Sequence, residues 1–373
     1  MPVNPLLRSS ALLQKLYDRE IGVYCHLFPA LRKLRAQAGL SNVEVPFDVP
    51  DIYYVSLQRS SAEYGVERPA VLVMEDLRIQ EFQMVDKRVW CSYEQAKATM
   101  TTLANFHALS IALVRQWKTS TGQLALPEHL QFLKQKAKFD EMGPTLAAIN
   151  LPVFHEVMRR MGHREAAAWF EKETKNLAIT MAAGEASPLD CILHGDCWNN
   201  NIMYRYEQGK PVEVRLFDWQ ILKLDHPVMD LVVYLFTSTS HEVRTEHQTN
   251  LLAHYFTILN GSLHMLGIHL DREGYTEEHF QREVKMRLKS VMCLSIMFLN
   301  NMLSTEILSV VDNADKCETD HISTTHYKDV DHLFEDIMKK LEETKLTVEE
   351  VLENQLLCDR VSGLVLEMYA AHQ

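Results

Sequence analysis

The sequence predicts an α+β fold in which two pairs of short strands interrupt a mostly helical chain. Apolar residues recur at helical spacing over most of the 373 residues. Two β-prone runs occur at Ile52–Leu57 and Ala70–Met74, and a second pair lies within residues 201–218. The sequence contains no internal repeat and no Gly/Ser-rich linker, so domain boundaries are sought in changes of hydrophobic period.

A long helix is predicted at the start of the chain. Between Ser10 and Leu34 the apolar residues follow a helical period, and we expect Pro29 to bend or end this helix because proline lacks an N–H group. The first two β-prone runs follow, separated by a polar stretch that contains Gly65 and Pro69. This pattern predicts two antiparallel strands.

Helix dominates the chain after Leu77. Helices are predicted at Tyr93–Lys118, Glu128–Met142, Arg164–Ala182 and Glu242–Leu259, and an amphipathic helical pattern covers Asp329–Leu356. One β interruption lies within this region. Strands at Asn201–Tyr206 and Pro211–Asp218, joined by a turn at residues 207–210, predict a hairpin.

The composition is that of a globular protein with an acidic surface. There are 38 Lys and Arg residues against 50 Asp and Glu residues, so the formal net charge is −12, and 47% of residues are hydrophobic. This excludes disordered and fibrous classes. Because an acidic surface repels phosphate backbones and anionic lipids, we expect neither a nucleic-acid nor a membrane partner.

Cysteine usage and the N-terminus predict a cytoplasmic protein. The seven cysteines lie far apart, form no C-x-x-C pair and are odd in number, which is typical of a reducing compartment. Residues 1–20 lack the apolar core of a signal peptide. The apolar run Val228–Phe236 is too short to span a bilayer and contains Asp230.

Three side chains near the hairpin form the predicted chemical site. Asp196 is followed five residues later by Asn201, and Asp218 lies 17 residues beyond Asn201. A hairpin would return the chain so that Asp218 lies beside Asn201. Amide and carboxylate oxygens suit Mg²⁺, so we expect Asn201 and Asp218 to bind the metal. Asp196 is then left to orient a hydroxyl group and accept its proton.

These motifs resemble the catalytic loop and metal-binding Asp of phosphotransferases related to choline and aminoglycoside kinases. Within that group they are similar to the ecdysteroid kinase-like family, also called CHK kinase-like. The matching motifs are His194-Gly195-Asp196 with Trp198 and Asn201, Phe217-Asp218-x-Gln220, Met74-Glu75-Asp76-Leu77, Arg19-Glu20-x-x-x-Tyr24, the helix 103–110, and Asp230-Leu231 after Pro227.

The resemblance implies a protein-kinase-like two-lobe fold, with a small lobe at residues 1–77 and a mostly helical large lobe at 78–373. It implies ATP and Mg²⁺ as cofactors and transfer of a phosphoryl group to a hydroxyl of an ecdysteroid or another lipophilic alcohol. Asp196 would be the catalytic base, and His194 would support the catalytic loop. Backbone groups of Met74, Glu75, Asp76 and Leu77 would bind adenine, and Glu20 matches the family's helix Glu near the nucleotide.

The family's small lobe begins with a Gly-rich hairpin and a strand Lys that contact the nucleotide phosphates, and neither precedes Glu20 in this sequence. We therefore expect a truncated small lobe and weak phosphoryl transfer, because this reaction depends on positioning and charge neutralisation. The alternative is a non-catalytic binding protein for a lipophilic molecule. A protein kinase fits less well, since Asp218-Trp219-Gln220 replaces Asp-Phe-Gly and Asp230 follows within 12 residues.

Four further features of the sequence have either two interpretations or a single expected role. Asp230 is a helix cap or an anchor for the catalytic loop. Cys197 lacks a base spaced to activate it, so we expect no thiol nucleophile. A helix with Met286, Met292, Met297 and Met302 forms core or lines an apolar substrate pocket. His and Asp residues between 312 and 332 match no zinc or calcium spacing, which predicts a polar surface loop.

Overall fold

The computed structural model describes residues 16–56, 71–119, 121–134, 138–175, 187–303 and 347–373. Side chains are described within these ranges except at 138–146, 301 and 302. The predicted α+β class is confirmed, since helices alternate with small antiparallel sheets. The predicted polar loop at 312–332 lies outside the described residues.

The opening helix passes through Pro29 without ending. It consists of α1 (Leu16–Gly22), a π-helical turn at Val23–Leu27 and α2 (Phe28–Gln37). In the π turn the Phe28 N–H donates to the Val23 carbonyl, five residues back. This wider turn lies directly before Pro29, which has no N–H group to donate. Of the two outcomes expected at Pro29, a bend or an end of the helix, the end is wrong, because α2 continues to Gln37.

Within the described ranges the strands form three small antiparallel sheets. In chain order they are β1 (Ile52–Ser56), β2 (Val71–Met74), β3 (Gln83–Met84), β4 (Cys191–Leu193), β5 (Ile202–Glu207), β6 (Lys210–Leu216) and β7 (Lys223–Asp225). β1 pairs with β2, β5 pairs with both β3 and β6, and β4 pairs with β7. The predicted strand pair and the predicted hairpin are both present.

The remaining helices include those predicted at Tyr93–Lys118, Arg164–Ala182 and Glu242–Leu259, as far as the described residues reach, and one prediction needs correction. The helical pattern predicted at Asp329–Leu356 lies outside the described residues up to 346, and its remainder contains the helix Val348–Glu353 and the start of the helix Gln355–Ala370. The helices after α2 are α3 (Tyr93–Gln116), α4 (Lys138–Arg160), α5 (Arg164–Thr174), α6 (Val228–Ser238), α7 (His241–Met265), α8 (Glu277–Leu303), α9 (Val348–Glu353) and α10 (Gln355–Ala370). The single helix predicted at Glu128–Met142 is instead a 3₁₀ helix at Glu128–Lys134, with α4 beginning at Lys138. Apolar residues three apart, such as Leu130 and Leu133, suit three residues per turn as well as an α-helix.

The chain divides into two compact units. One unit comprises Asp18–Gln135 and Ala183–Val291, and the other comprises Met1–Tyr17, Lys136–Ala182 and Met292–Gln373. The first unit contains every residue of the predicted site. The lobe boundary predicted near Leu77 concerns a different division and stays a prediction.

An aromatic cluster forms the part of the first unit's core that lies next to the predicted site. Trp219 is fully buried, and its ring lies 5.1 Å from Phe28, 4.9 Å from Phe106 and 4.3 Å from His194. Phe47 completes the cluster at 6.0 Å from Trp219. Because Trp219 directly follows Asp218, its burial fixes the backbone at that position.

The second unit has a core of its own. On α4 and α5 the buried residues include Phe154 and Phe170, and the His155 ring lies 4.8 Å from Phe170. In α8, Met292 and Met297 are buried whereas Met286 is 75% exposed. Burial of Met292 and Met297 favours the core interpretation for these two residues. Among the described ranges, no helix is long and apolar enough to cross a membrane.

Candidate functional site

The predicted catalytic loop, which carries His194, Gly195 and Asp196, begins where β4 ends. Gly195 adopts φ +84°, a conformation that favours glycine, and a Cβ atom here would overlap the Ile221 carbonyl oxygen. Any larger residue would push the loop away from the segment that follows Asp218. Gly195 is therefore required by both backbone conformation and space.

His194 supports the loop through both ring nitrogens. The ring is fully buried, its Nε2 donates to the Phe217 carbonyl at 3.0 Å, and its Nδ1 accepts the Asp196 N–H at 3.3 Å. These partners specify the neutral ring with the proton on Nε2. Burial also lowers the pKa of His194, so the ring stays uncharged at neutral pH.

Asp230, in the first turn of α6, anchors the loop. Its Oδ2 accepts the His194 N–H at 2.7 Å and its Oδ1 accepts the Gly195 N–H at 2.9 Å. His107 Nε2 lies 3.2 Å from Oδ2, and Tyr255 Oη lies 2.8 Å from His107 Nδ1. Burial favours the neutral acid, but the bond from His107 and the Gly195 N–H outweigh it and lower the pKa of Asp230. Of the two interpretations of Asp230, the structure shows the anchor.

Asp196 and Asn201 form a hydrogen-bonded pair. The Asn201 Nδ2 donates to Asp196 Oδ2 at 2.8 Å and to the Asp196 carbonyl at 3.0 Å. With its amide nitrogen used in this way, Asn201 leaves its Oδ1 as the atom available to a cation. Burial, together with the negative charge of Asp218, raises the pKa of Asp196 to about 7 despite the bond from Asn201.

The hairpin brings Asp218 next to this pair. Ile202 of β5 pairs with Leu216 of β6, and the Phe217 N–H donates to the Asn201 carbonyl at 3.2 Å. Asp218 then adopts φ +63°, which is uncommon for a residue with a side chain. Burial raises the pKa of Asp218 to about 6, offset in part by a hydrogen bond from the Gln220 N–H.

Glu20, on α1, is the third carboxylate of the site. Burial and the charge of Asp218 raise the pKa of Glu20 to about 7, offset in part by the Trp219 N–H, which favours the charged form. The structure thus brings Glu20, Asp196 and Asp218 together, and no Lys or Arg charge within the described residues is among the causes of their pKa shifts.

The predicted adenine-binding segment follows β2. Met74 ends the strand, the Glu75 N–H donates to the Asp51 carbonyl at 2.8 Å, and Leu77 is buried. The Asp76 side chain caps the 3₁₀ helix at Leu77–Gln80 by accepting the Arg78 N–H at 3.0 Å. The side chains of this segment therefore serve local structure, and adenine binding by its backbone stays a prediction.

The donor set fits a divalent cation. Asp218 lies close enough to Glu20 and to Asp196 for the negative charges to repel, and a bound cation would relieve that repulsion. The Tyr24 hydroxyl beside Glu20 is buried and has no hydrogen-bond partner among the described residues, as expected where bound water or ligand completes a site. No three His, Cys, Asp or Glu side chains in the described ranges form a ready-made metal site. The candidate ligands are therefore Asn201 and Asp218, with phosphate oxygens and water completing the shell.

A match to a family model identifies the family of this chain. Residues 2–268 match the model of the ecdysteroid kinase-like family, EcKL. The chain belongs to the ecdysteroid kinase-like family. The resemblance inferred from the sequence motifs is thereby confirmed, and EcKL membership supports a small-molecule kinase type of activity.

Among solved structures, this EcKL chain is similar to a protein provisionally assigned as an aminoglycoside phosphotransferase from Ralstonia eutropha JMP134. The two share 14% identity, the match covers 83% of this chain and 82% of that one, and the TM-score is 0.40. A search of curated proteins finds no match. The assignment therefore rests on the family match and on the motifs.

Sequence motifs located most of this EcKL site but not the residues that hold it in place. The predicted residues Asp196, Asn201, Asp218 and Glu20 converge, whereas the 74–77 segment makes no contact with them that the structure describes. The support of the loop by His107 and the bonds of Arg19 to the segment after Asp218 were not predicted. Arg19 and His107 both lie in motifs that resemble the family's, and this position was the only sequence signal that they support the site.

Proposed function

We propose that the chain is an ATP- and Mg²⁺-dependent kinase that phosphorylates a hydroxyl of a small lipophilic alcohol. The observation that carries this proposal is the convergence of Asp196, Asn201 and Asp218 at one end of the hairpin. A carboxylate base beside two oxygen donors for a cation is the arrangement that phosphoryl transfer requires.

Each residue has a separate task. Asp196 orients the acceptor hydroxyl and takes its proton as the hydroxyl oxygen attacks the γ-phosphorus and ADP leaves. Its pKa of about 7 suits a general base near neutral pH. Asn201 and Asp218 would hold Mg²⁺, which supplies charge neutralisation for the phosphates. His194 and Asp230 fix the loop that carries Asp196.

The substrate class rests on family membership. The family is named for ecdysteroids, and we propose an ecdysteroid or another lipophilic alcohol as the acceptor. Phosphorylation would make such a molecule polar, which suits storage, inactivation or clearance. The six cysteines of the described ranges are all unbridged, which supports action in the reducing cytoplasm.

We further propose that the 373-residue chain by itself transfers phosphate slowly. Before Glu20 the sequence has no Gly-rich segment and strand Lys of the kind that neutralise phosphate charge in the family. Loss of one preorganised electrostatic donor typically costs about 10² to 10³ in rate. Turnover near 1 per second, an ordinary kinase rate, would contradict this part of the proposal.

Thermal unfolding with ligands tests the proposal. A ligand that binds only the folded protein raises its apparent stability by RT ln(1 + [L]/Kd). We expect a shift with ATP that Mg²⁺ enlarges, a further shift with a lipophilic alcohol, and no enlargement by Mg²⁺ in Asp218→Asn. A shift with the alcohol but none with Mg²⁺ and ATP would favour the non-catalytic binding protein instead.

A further inference from the structure

We infer that Arg19 is a positioning residue that sets the metal-binding geometry of Asp218, an inference that rests on the proposed function. The juxtaposition that carries it is a buried guanidinium on α1 bonded to the backbone immediately after Asp218. Nothing in the family match assigns a role to this side chain.

The bonds of Arg19 converge on one short segment. Its Nε donates to the Gln220 carbonyl at 3.1 Å, and its Nη2 donates to the Leu222 carbonyl. Its Nη1 donates to the Phe132 carbonyl at 3.1 Å, with the guanidinium 5.8 Å from the Phe132 ring. Arg19 is only 4% exposed, so these bonds form in a setting where water competes weakly.

The neighbouring residue faces the same segment with the opposite charge. The Trp219 N–H favours the charged form of Glu20, while Arg19 donates to the carbonyls of Gln220 and Leu222. One side chain of α1 thus fixes two of the carbonyls in residues 219–222. With those peptide planes fixed, the backbone at Asp218 has little freedom to rotate.

Asp218 needs such support because its own conformation is costly. A residue with a side chain at φ +63° persists where the surroundings over-determine it. Arg19 holds the carbonyl of Gln220, which lies two residues after Asp218 and whose N–H favours the charged form of the Asp218 carboxylate. Displacement of the Gln220 peptide would therefore also move the metal-binding carboxylate.

Arg19→Lys tests this role. Lysine keeps the charge, but one ammonium group cannot reach three carbonyls spread across Phe132, Gln220 and Leu222. Arg32→Lys is the matched control, because Arg32 lies further along the same opening helix, is 48% exposed, and approaches Asp51 only at 3.8 Å. Titration calorimetry would measure ATP affinity at a series of Mg²⁺ concentrations and without metal, and thermal unfolding would measure the stability of the unliganded proteins.

We expect Arg19→Lys to need roughly tenfold more Mg²⁺ for half-maximal enhancement of ATP binding, the effect of one misplaced ligand bond of about 1.4 kcal/mol. Metal-free ATP affinity and the Arg32→Lys variant should match the wild type. An unchanged Mg²⁺ requirement in folded Arg19→Lys would overturn the inference, as would failure of both Arg19→Lys and Arg19→Gln to fold. If the wild type itself binds no Mg²⁺ and ATP, the proposed function fails as well, so the two failures are distinguishable.

Discussion

Replacing Asp218 with Asn should stabilise the metal-free protein while removing its metal binding. The folded environment raises the pKa of Asp218 from its ordinary value of 3.8 to about 6. Between those two pH values the folded state holds its proton more tightly than the unfolded state, so stability falls as pH rises through this window and stays lower above it. The neutral amide of Asn has no such penalty.

The size of the gain follows from the pKa difference. At pH 8 the ionised Asp218 costs the folded protein about 3 kcal/mol relative to the unfolded chain. At pH 4.5 the same relation gives a cost of about 1 kcal/mol to the folded protein, because Asp218 is then largely protonated in the folded state. Asn can still accept the Gln220 N–H through its Oδ1, so little of the gain is lost. At roughly 2–4 °C per kcal/mol, the midpoint should rise by about 6–12 °C at pH 8.

Differential scanning calorimetry in EDTA at both pH values would measure this effect. Asp18→Asn is the control, since Asp18 is an exposed carboxylate on the same helix as Glu20 and should give no such gain. A lower midpoint for Asp218→Asn at pH 8, or an equal gain at pH 4.5 and pH 8, would refute the reasoning about the carboxylate cluster.

Three other variants probe the catalytic loop. Asp230→Asn replaces a charged acceptor of the His194 and Gly195 N–H groups, and chemical denaturation should show a loss of about 2–4 kcal/mol; a loss below 1 kcal/mol would count against the anchor role. Gly195→Ala should destabilise the fold by about 2 kcal/mol or more and reduce Mg²⁺-dependent ATP binding, because its Cβ meets the Ile221 carbonyl at positive φ; wild-type midpoint and binding would contradict this. Asp196→Asn should retain Mg²⁺-dependent ATP binding by calorimetry yet lose about 10² to 10⁴ in transfer rate; an unchanged rate would exclude Asp196 as the base.

The chemistry of this site could be predicted because its residues lie close together in the sequence. Asp196 and Asn201 lie on one loop, and the hairpin returns the chain to Asp218 only 17 residues after Asn201. Alternating strands and a tight turn set its register, so the proximity of the three residues follows from short-range rules.

The supports of the site could not be predicted in the same way. Arg19 bonds a carbonyl 201 residues away, and His107 meets Asp230 across 123 residues. Such contacts depend on tertiary packing, which the hydrophobic period of a single helix or strand does not predict. The opening helix shows the same limit on a smaller scale, since the π turn before Pro29 preserves a helix that local rules would bend or end.

Single-turnover transfer from γ-labelled ATP, with enzyme in excess over nucleotide, tests the central claim most directly because it detects even slow chemistry. The wild-type chain with Mg²⁺ and an ecdysteroid or a panel of lipophilic alcohols should form a labelled phosphate ester slower than about 1 per second. The Asp196→Asn variant should form the ester about 10² to 10⁴ times more slowly. Equal product from both proteins, or no labelled alcohol from a wild-type chain that binds Mg²⁺ and ATP, would contradict the assignment of this site as a kinase centre.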